Sequence, residues 1–269
     1  MGVFRIAIKS LFVILMLIFG FVIILFSMCL RAIKLINMLQ LLFVVRKWYQ
    51  LLLFFLDIKV HVQSNKQKPD QLKASVVVAN HISWLDIVVL GSVIPTDFLS
   101  KSEVRNWPLI GWMANQIGTL FIKRGGGGDV DGLKVQMLEY VNDGKNILFF
   151  PEGTTGKGDG LMVFRPRLFS TAIDAKANIL PLAIKYGLQQ GAHPVIPYGS
   201  EQTIFVNLLS VMAYGHVDVY VQFGQTISSK ETNRDALANT AQKQIGNMLN
   251  LSQSQIKQRY QRTNESVAD

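Results

Sequence analysis

The feature that most constrains this sequence is an uncharged apolar run of twenty residues, 11–30. As an α-helix it would be ~30 Å long, about the thickness of the hydrocarbon core of a bilayer. A secretory signal peptide typically has a shorter apolar region, followed by small residues at its cleavage site. Residues 26–28 (FSM) do not have that small-x-small pattern. The run therefore predicts a retained membrane anchor rather than a cleaved leader.

A second apolar stretch, residues 35–56, is interrupted by Arg46 and Lys47, which Trp48 and Tyr49 follow as interfacial aromatics often do. Two arrangements stay open: a spanning helix followed by an amphipathic interfacial helix, or a helical hairpin embedded in one leaflet. Basic residues lie on both sides of the first run, so charge does not decide its orientation. We predict a membrane-anchoring helical segment at 1–60 and a folded domain at 61–269.

The positive charge is concentrated in the apolar segment. The chain has a net charge of +9, and residues 1–60 carry seven Lys and Arg against one acid. This placement points to anionic lipid as the partner rather than to nucleic acid. The single cysteine, Cys29, excludes an internal disulfide, and four histidines leave little material for a structural zinc site.

After a polar linker, residues 62–73, short apolar runs alternate with helical patterns. This alternation predicts an α/β fold with a largely parallel central sheet flanked by helices. The last run alternates apolar and polar residues, which indicates an edge strand. The predicted strands are 74–79, 146–150, 178–184 and 217–223, and the predicted helices are 131–142, 167–177 and a surface helix within 231–261.

Residues 80–86 (NHISWLD) directly follow the first predicted strand, where open α/β sheets bind their ligands. His81 and Asp86 would be ~140° apart on a continuous helix. They can pair only if His81 lies in the turn or at the helix start, with Asp86 one turn in. Asp86 would then fix the imidazole tautomer, and the other nitrogen could take a proton from a hydroxyl. Taken alone, a capping histidine and a surface aspartate give the same pattern.

Three further blocks carry groups that suit an anionic ligand. Residues 149–158 (FFPEGTTGKG) supply backbone N–H groups and hydroxyls, but Gly158 after Lys157 excludes a Walker A loop. Lys101 ends one apolar run, and Arg124 ends another that reads FIKR; arginine can hold a phosphate with two hydrogen bonds. The last block is 164–169 (FRPRLF), which is followed by 179–183 (ILPLA). No Gly-x-Ser-x-Gly elbow occurs, which disfavours a serine nucleophile.

Together and in this order, the blocks resemble the glycerolipid acyltransferase family, best known for 1-acylglycerol-3-phosphate acyltransferases. That family is marked by a His and an Asp separated by four residues, here His81 and Asp86. A Phe-x-x-Arg block ending at Arg124, a Phe-Pro-Glu-Gly-Thr block at 150–154 and a proline-centred strand at 179–183 complete the resemblance.

The resemblance implies transfer of a fatty acyl group from acyl-carrier protein or coenzyme A to the free hydroxyl of a lysolipid. The first candidate acceptor is 1-acylglycerol 3-phosphate, which would give phosphatidate. His81 is the expected general base and Asp86 orients it; the thioester is a co-substrate, and neither a metal nor another cofactor is implied. The expected place is a bacterial inner membrane, with the catalytic domain facing the cytoplasm. The resemblance assigns acceptor or charge roles to Glu152, Gly153, Thr154, Lys101 and Arg124.

The sequence departs from the lysophosphatidate pattern at two positions. Thr155 stands where many such members have arginine, and Arg167 stands where glycine is often seen. The Glu-Gly-Thr-Thr version resembles a bacterial subset that includes lyso-ornithine-lipid acyltransferases. Either Arg165 or Arg167 therefore binds the acceptor phosphate, or the acceptor is a lyso-ornithine lipid or another lysolipid. A competing hypothesis is a non-catalytic lipid-binding membrane protein, against which the intact His81 and Asp86 argue.

Overall fold

A computed structural model of the chain describes residues 2–64, 72, 74–123, 130–187, 192–199 and 201–257. In this part of the chain seven strands form one sheet: β1 (Ile58–Gln63), β2 (Val76–Ala79), β3 (Asp97–Lys101), β4 (Leu120–Ile122), β5 (Ile147–Phe149), β6 (Ile179–Tyr186) and β7 (Val217–Phe223). Their order is β1-β7-β6-β2-β5-β3-β4. All neighbours are parallel except β6 and β7, which are antiparallel.

Helices cover both faces of this sheet, which confirms the predicted α/β class. The described helices are α1 (Gly2–Ala32), α2 (Met38–Leu56), α3 (Leu85–Val93), α4 (Ser102–Arg105), α5 (Ile110–Gln116), α6 (Val130–Asn142), α7 (Ser170–Asp174), α8 (Ile204–Tyr214) and α9 (Arg234–Met248).

The core consists of two hydrophobic clusters, one on each face of the sheet. Val77 of β2 lies in the cluster that α2, α3 and α8 cover. Its neighbours Val76 and Val78 lie in the cluster that α6, α7 and α9 cover. Successive side chains of a strand point to opposite faces, so a central strand that is covered on both sides needs an unbroken apolar run. This explains why β2, β5 and β6 were recognisable from the sequence.

The prediction that residues 217–223 form an edge strand was wrong. β7 lies between β1 and β6. Its alternating pattern arises because Val219 and Val221 enter the core while Asp218 and Tyr220 face a partly open side. The two edge strands are β1 and β4. β1 was not predicted, because residues 58–63 fall across the end of the predicted anchor and the start of the predicted linker.

The helix α1 lies along the folded domain instead of projecting away from it. Near its start, Lys9 Nζ donates a hydrogen bond of 2.6 Å to the Leu56 carbonyl oxygen. Near its end, Arg31 Nη1 lies 3.5 Å from the Gln116 carbonyl oxygen. Between these contacts α1 packs against α2, and it also contacts α5 and α8.

Two described helices, α1 over Phe4–Ala32 and α2, are long and apolar enough to cross a membrane. The outward side of α1 is apolar, with exposed side chains that include Phe4, Leu11, Leu15, Phe19 and Phe26. The strand β1 begins at Ile58, and the division of the chain at residues 60 and 61 remains a prediction.

Candidate active site

The sheet topology brings together the segments that follow β2 and β5 and the end of β6. β2 lies between β5 and β6, and the three strands are parallel. Their carboxyl ends therefore meet at one edge of the sheet, called the carboxyl edge below. Asn80 holds the chain there as it leaves β2: its side-chain amide donates to the Ile184 carbonyl oxygen at 3.0 Å and accepts from the Ile184 N–H at 2.9 Å.

His81 and Asp86 form a buried pair at this edge. His81 lies in the turn before α3, and Asp86 is the second residue of that helix. His81 Nδ1 donates to Asp86 Oδ2 at 2.8 Å. The same oxygen accepts the backbone N–H groups of Ile82 at 2.6 Å and Ser83 at 2.9 Å. The Asp86 side chain is 0% exposed, so these donors take the place of water around its negative charge.

The second carboxylate oxygen of Asp86 is bound by Tyr186, which no sequence motif indicated. Tyr186, at the end of β6, donates its hydroxyl to Asp86 Oδ1 at 2.6 Å. Burial and the nearby Asp86 charge raise the pKa of Tyr186 well above its ordinary value, so the hydroxyl stays a donor. Nothing in the local pattern distinguishes this tyrosine, because it is 100 positions from its partner.

The imidazole ring of His81 is fixed by a stacked aromatic ring as well as by its hydrogen bond to Asp86. It stacks on Phe150, which follows β5, with ring centroids 3.9 Å apart and an interplanar angle of 10°. Because Nδ1 carries the hydrogen that Asp86 accepts, Nε2 keeps its lone pair. A ring so oriented can take a proton from a hydroxyl group that approaches Nε2.

Glu152 accepts a hydrogen bond from the backbone of His81. Its Oε1 accepts the His81 N–H at 2.8 Å, and its Oε2 accepts the Met162 N–H at 2.9 Å. The Gly156 N–H donates to the His81 carbonyl oxygen at 2.7 Å. Burial raises the pKa of Glu152 to about 7, although the two amide hydrogen bonds oppose this shift. The predicted acceptor-site residue therefore binds the segment that carries His81.

Gly153 and Arg165 lie against each other at the tip of this turn. Gly153 has a φ of +74°, and a Cβ atom built there would lie 3.2 Å from Arg165 Cζ. The Arg165 N–H donates to the Pro151 carbonyl oxygen at 2.9 Å. Arg165 and Thr154 are both exposed. The guanidinium thus lies over the turn that follows Glu152.

Thr155 and Arg167 have partners within the protein. Thr155 Oγ1 donates to the carbonyl oxygen of Tyr198, so it is used internally. Arg167 Nη2 lies 3.6 Å from Asp131 Oδ1. Arg165, Arg167 and Arg234, the first residue of α9, line one groove of about 400 Å³.

The two remaining predicted site residues are Lys101 and Arg124. Lys101 ends β3, which β5 separates from β2. Its side chain is exposed, and Nζ lies 3.6 Å from Glu103 Oε1. Within the described residues no hydrogen bond or ion pair joins Lys101 to His81 or Asp86. Arg124 lies outside the described residues, and the roles of both cations stay predictions.

Sequence comparison relates this chain to named acyltransferases. The sequence model of the family described as Acyltransferase matches residues 57–185. A lyso-ornithine lipid O-acyltransferase of Pseudomonas aeruginosa is 39% identical over 168 residues, and a 1-acyl-sn-glycerol-3-phosphate acyltransferase of Neisseria gonorrhoeae is 33% identical over 168 residues. Both matches cover 62% of this chain and 65% of the relative. The chain thus spans slightly less than two thirds of these relatives.

A longer match extends the similarity. A lyso-ornithine lipid O-acyltransferase of Rhizobium meliloti is 30% identical over 224 residues, which cover 76% of this chain and 74% of the relative. Among solved structures, the 1-acyl-sn-glycerophosphate acyltransferase PlsC from Thermotoga maritima aligns with a TM-score of 0.71 over 93% of this chain and 95% of that one. Its identity is 17%, so this likeness concerns the fold.

Proposed function

Because this chain belongs to the acyltransferase family, we propose that it transfers a fatty acyl group from a thioester to the free hydroxyl of a lysolipid. The observation that carries this proposal is the His81–Asp86 pair, whose Nδ1–Oδ2 hydrogen bond of 2.8 Å orients the imidazole. The pair lies at the carboxyl edge, where parallel sheets bind their ligands.

In the proposed reaction, His81 Nε2 takes the proton from the acceptor hydroxyl as that oxygen attacks the thioester carbonyl carbon. Asp86 stays ionised and stabilises the imidazolium that forms. The tetrahedral intermediate collapses, the carbon–sulfur bond breaks, and the leaving thiolate takes the proton from His81. The oxyanion needs hydrogen-bond donors, for which we propose backbone N–H groups or Lys101. No acyl-enzyme is required.

The proposed donor is acyl-carrier protein or coenzyme A carrying the acyl group, without a metal or another cofactor. Such donors are soluble in the cytoplasm, whereas acceptor and product are lipids. We therefore place the protein at a bacterial inner membrane, with the catalytic domain facing the cytoplasm. The apolar outward side of α1 and the +6 charge of residues 1–60 support contact with an anionic membrane.

The first proposed acceptor is 1-acylglycerol 3-phosphate. Arg165 lies over the Gly153 turn, and with Arg167 it lines a groove beside that turn. Guanidinium groups bind phosphate with two hydrogen bonds. We propose that Arg165 contacts the acceptor phosphate, with Arg167 and Arg124 adding positive charge.

Thr155 favours a second candidate, a lyso-ornithine lipid. This position carries no charge, and its hydroxyl is bound to Tyr198. The relative with 39% identity is named for that acceptor. An enzyme for this substrate would not need an arginine that binds a phosphomonoester.

The test is acyl transfer by the purified protein in liposomes, with one labelled acyl thioester and each of the two acceptors. His81→Ala should abolish transfer, whereas His216→Ala, an exposed histidine at the start of β7, should not. Transfer to one acceptor identifies the substrate. Specific lipid binding by a parent protein that transfers to neither acceptor would support the non-catalytic alternative.

A further inference from the structure

The helix α8 presents an apolar side that no described residue covers. Its sequence contains no charged residue. Phe205 is 65% exposed and Val206 is 51% exposed, both in the first turn. On the other side Val211 and Met212 are buried in the core below the helix. The helix is therefore apolar on both sides, whereas a helix that faces water usually has a polar outer side.

This helix is joined to the segment that carries His81. In its first turn, Asn207 Oδ1 accepts a hydrogen bond of 2.8 Å from Trp84 Nε1, three residues after His81. At its other end, α8 leads through Gly215 into β7, where Val219 pairs with Tyr186 at the carboxyl edge. Both ends of α8 are thus tied to the edge that carries the candidate active site.

The last turn of α8 meets the start of α1. Near the start of α1, Arg5 Nη1 lies 3.4 Å and 3.3 Å from the carbonyl oxygens of Ala213 and Tyr214 at the end of α8. The side chains of Phe4, Ile8 and Leu11 are exposed on the same part of α1. Exposed apolar side chains thus occur on α1, on the last turn of α8 where the two helices meet (Tyr214) and on the first turn of α8, with a cation at the junction of the helices.

We propose that Phe205 and Val206 enter the lipid bilayer next to His81, so that α8 is a membrane contact in addition to α1 and α2. The proposal rests on the proposed function in one respect: it explains how a lysolipid reaches His81 without leaving the bilayer. A bilayer suits this surface because its hydrocarbon accepts the apolar side chains, while its anionic headgroups attract Arg5. Glu201, exposed before the helix, lies at the headgroup level in this arrangement.

A fluorescent label tests the contact without any need for turnover. In a Cys29→Ser background, Phe205→Cys and Val135→Cys are each labelled with an environment-sensitive dye. Val135 is the matched control, because it is 55% exposed on α6, which covers the other face of the sheet. On addition of phosphatidylglycerol–phosphatidylethanolamine vesicles, the label at 205 should shift to the blue and the label at 135 should not.

A second experiment separates membrane contact from chemistry. Phe205→Ser combined with Val206→Ser should lower transfer to a vesicle-embedded lysolipid on the order of tenfold, since each lost apolar contact weakens partitioning. Transfer to a short-chain, water-soluble lysolipid should stay within about twofold of the parent. Val135→Ser should leave both activities unchanged.

The proposal is overturned if the label at 205 does not shift while the protein sediments with the vesicles. It is also overturned if the label shifts without vesicles as the protein concentration rises, because a second copy would then cover α8. A blue shift at 205 in a protein that acylates neither lysolipid would retain the membrane contact and reject the proposed function.

Discussion

Tyr186 donates its hydroxyl to the oxygen of Asp86 that His81 does not use, at 2.6 Å. Asp86 consequently has a donor on both oxygens and is removed from water. In the proposed reaction the strength of this hydrogen bond determines how much negative charge Asp86 presents to the imidazole. Tyr186 is therefore a positioning residue that acts through Asp86.

Tyr186→Phe should lower kcat by about tenfold, because the Asp86 carboxylate loses a hydrogen bond worth roughly 1.5–3 kcal/mol and then holds the His81 imidazole less firmly in its reactive orientation. Without this donor Asp86 attracts the imidazole proton more strongly, so the acidic limb of the kcat/KM profile should move to higher pH. The measurement is the pH–rate profile of the variant and of Tyr220→Phe, a tyrosine of β7 outside the site. If the acidic limb of the kcat/KM profile does not move in Tyr186→Phe, the role of Tyr186 is limited to packing.

Gly153→Ala should raise the KM for the acceptor. The φ of +74° disfavours any side chain, and the new Cβ would press on Arg165. Gly144→Ala is the control, because Gly144 has a φ of +78° with no atom within 4 Å of a Cβ. Both variants should unfold more easily, Gly144→Ala by about 1 kcal/mol and Gly153→Ala by more because of the contact with Arg165. The acceptor KM should change in Gly153→Ala alone. Equal acceptor KM values in Gly153→Ala and Gly144→Ala would show that the Gly153 turn takes no part in acceptor binding.

Arg165→Ala should weaken binding of a phosphorylated acceptor more than Arg167→Ala does. Arg165 lies over the Gly153 turn, whereas the guanidinium of Arg167 forms an ion pair with Asp131. Loss of a charge-assisted contact predicts an increase in KM on the order of tenfold for lysophosphatidate. The comparison uses KM values for both proposed acceptors. A larger effect of Arg167→Ala would reverse the assignment of the two arginines.

Asp97, at the start of β3, should make stability depend on pH. Neither carboxylate oxygen has a hydrogen-bond partner among the described residues, and burial raises the pKa of Asp97 from 3.8 to about 8, although Lys145 opposes the shift. The unfolded chain releases this proton at lower pH than the folded one. The free energy of unfolding should therefore fall between about pH 4 and pH 8, by on the order of a few kcal/mol.

Asp97→Asn should make this slope shallower and be more stable than the parent near pH 8, while the part of the slope that comes from buried Glu152, with a pKa of about 7, should stay. The measurement is denaturant unfolding in detergent at several pH values. Asp143→Asn changes an exposed acid and should keep the slope of the parent. If Asp97→Asn kept the full slope of the parent, Asp97 would not be a source of the pH dependence.

The α/β class, the central strands and the place of His81 and Asp86 followed from local patterns. A strand that is buried on both faces needs an unbroken apolar run, as in residues 76–79 and 147–149. Parallel strands place their carboxyl ends at one edge, so the segment after β2 had to meet the segment after β5. Spacing required His81 to precede the helix if it was to reach Asp86, whereas the expectation that the two residues pair came from the family resemblance.

The tertiary structure added the contacts between distant segments. Pairing with β1 turned a predicted edge strand, β7, into an internal one. Packing placed α1 along the domain and joined Tyr186 to Asp86 and Asn207 to Trp84. The spacing of apolar residues along a segment indicates which of its sides is buried, but it does not indicate which distant residues cover that side. Those partners depend on how the whole chain closes around its two hydrophobic clusters.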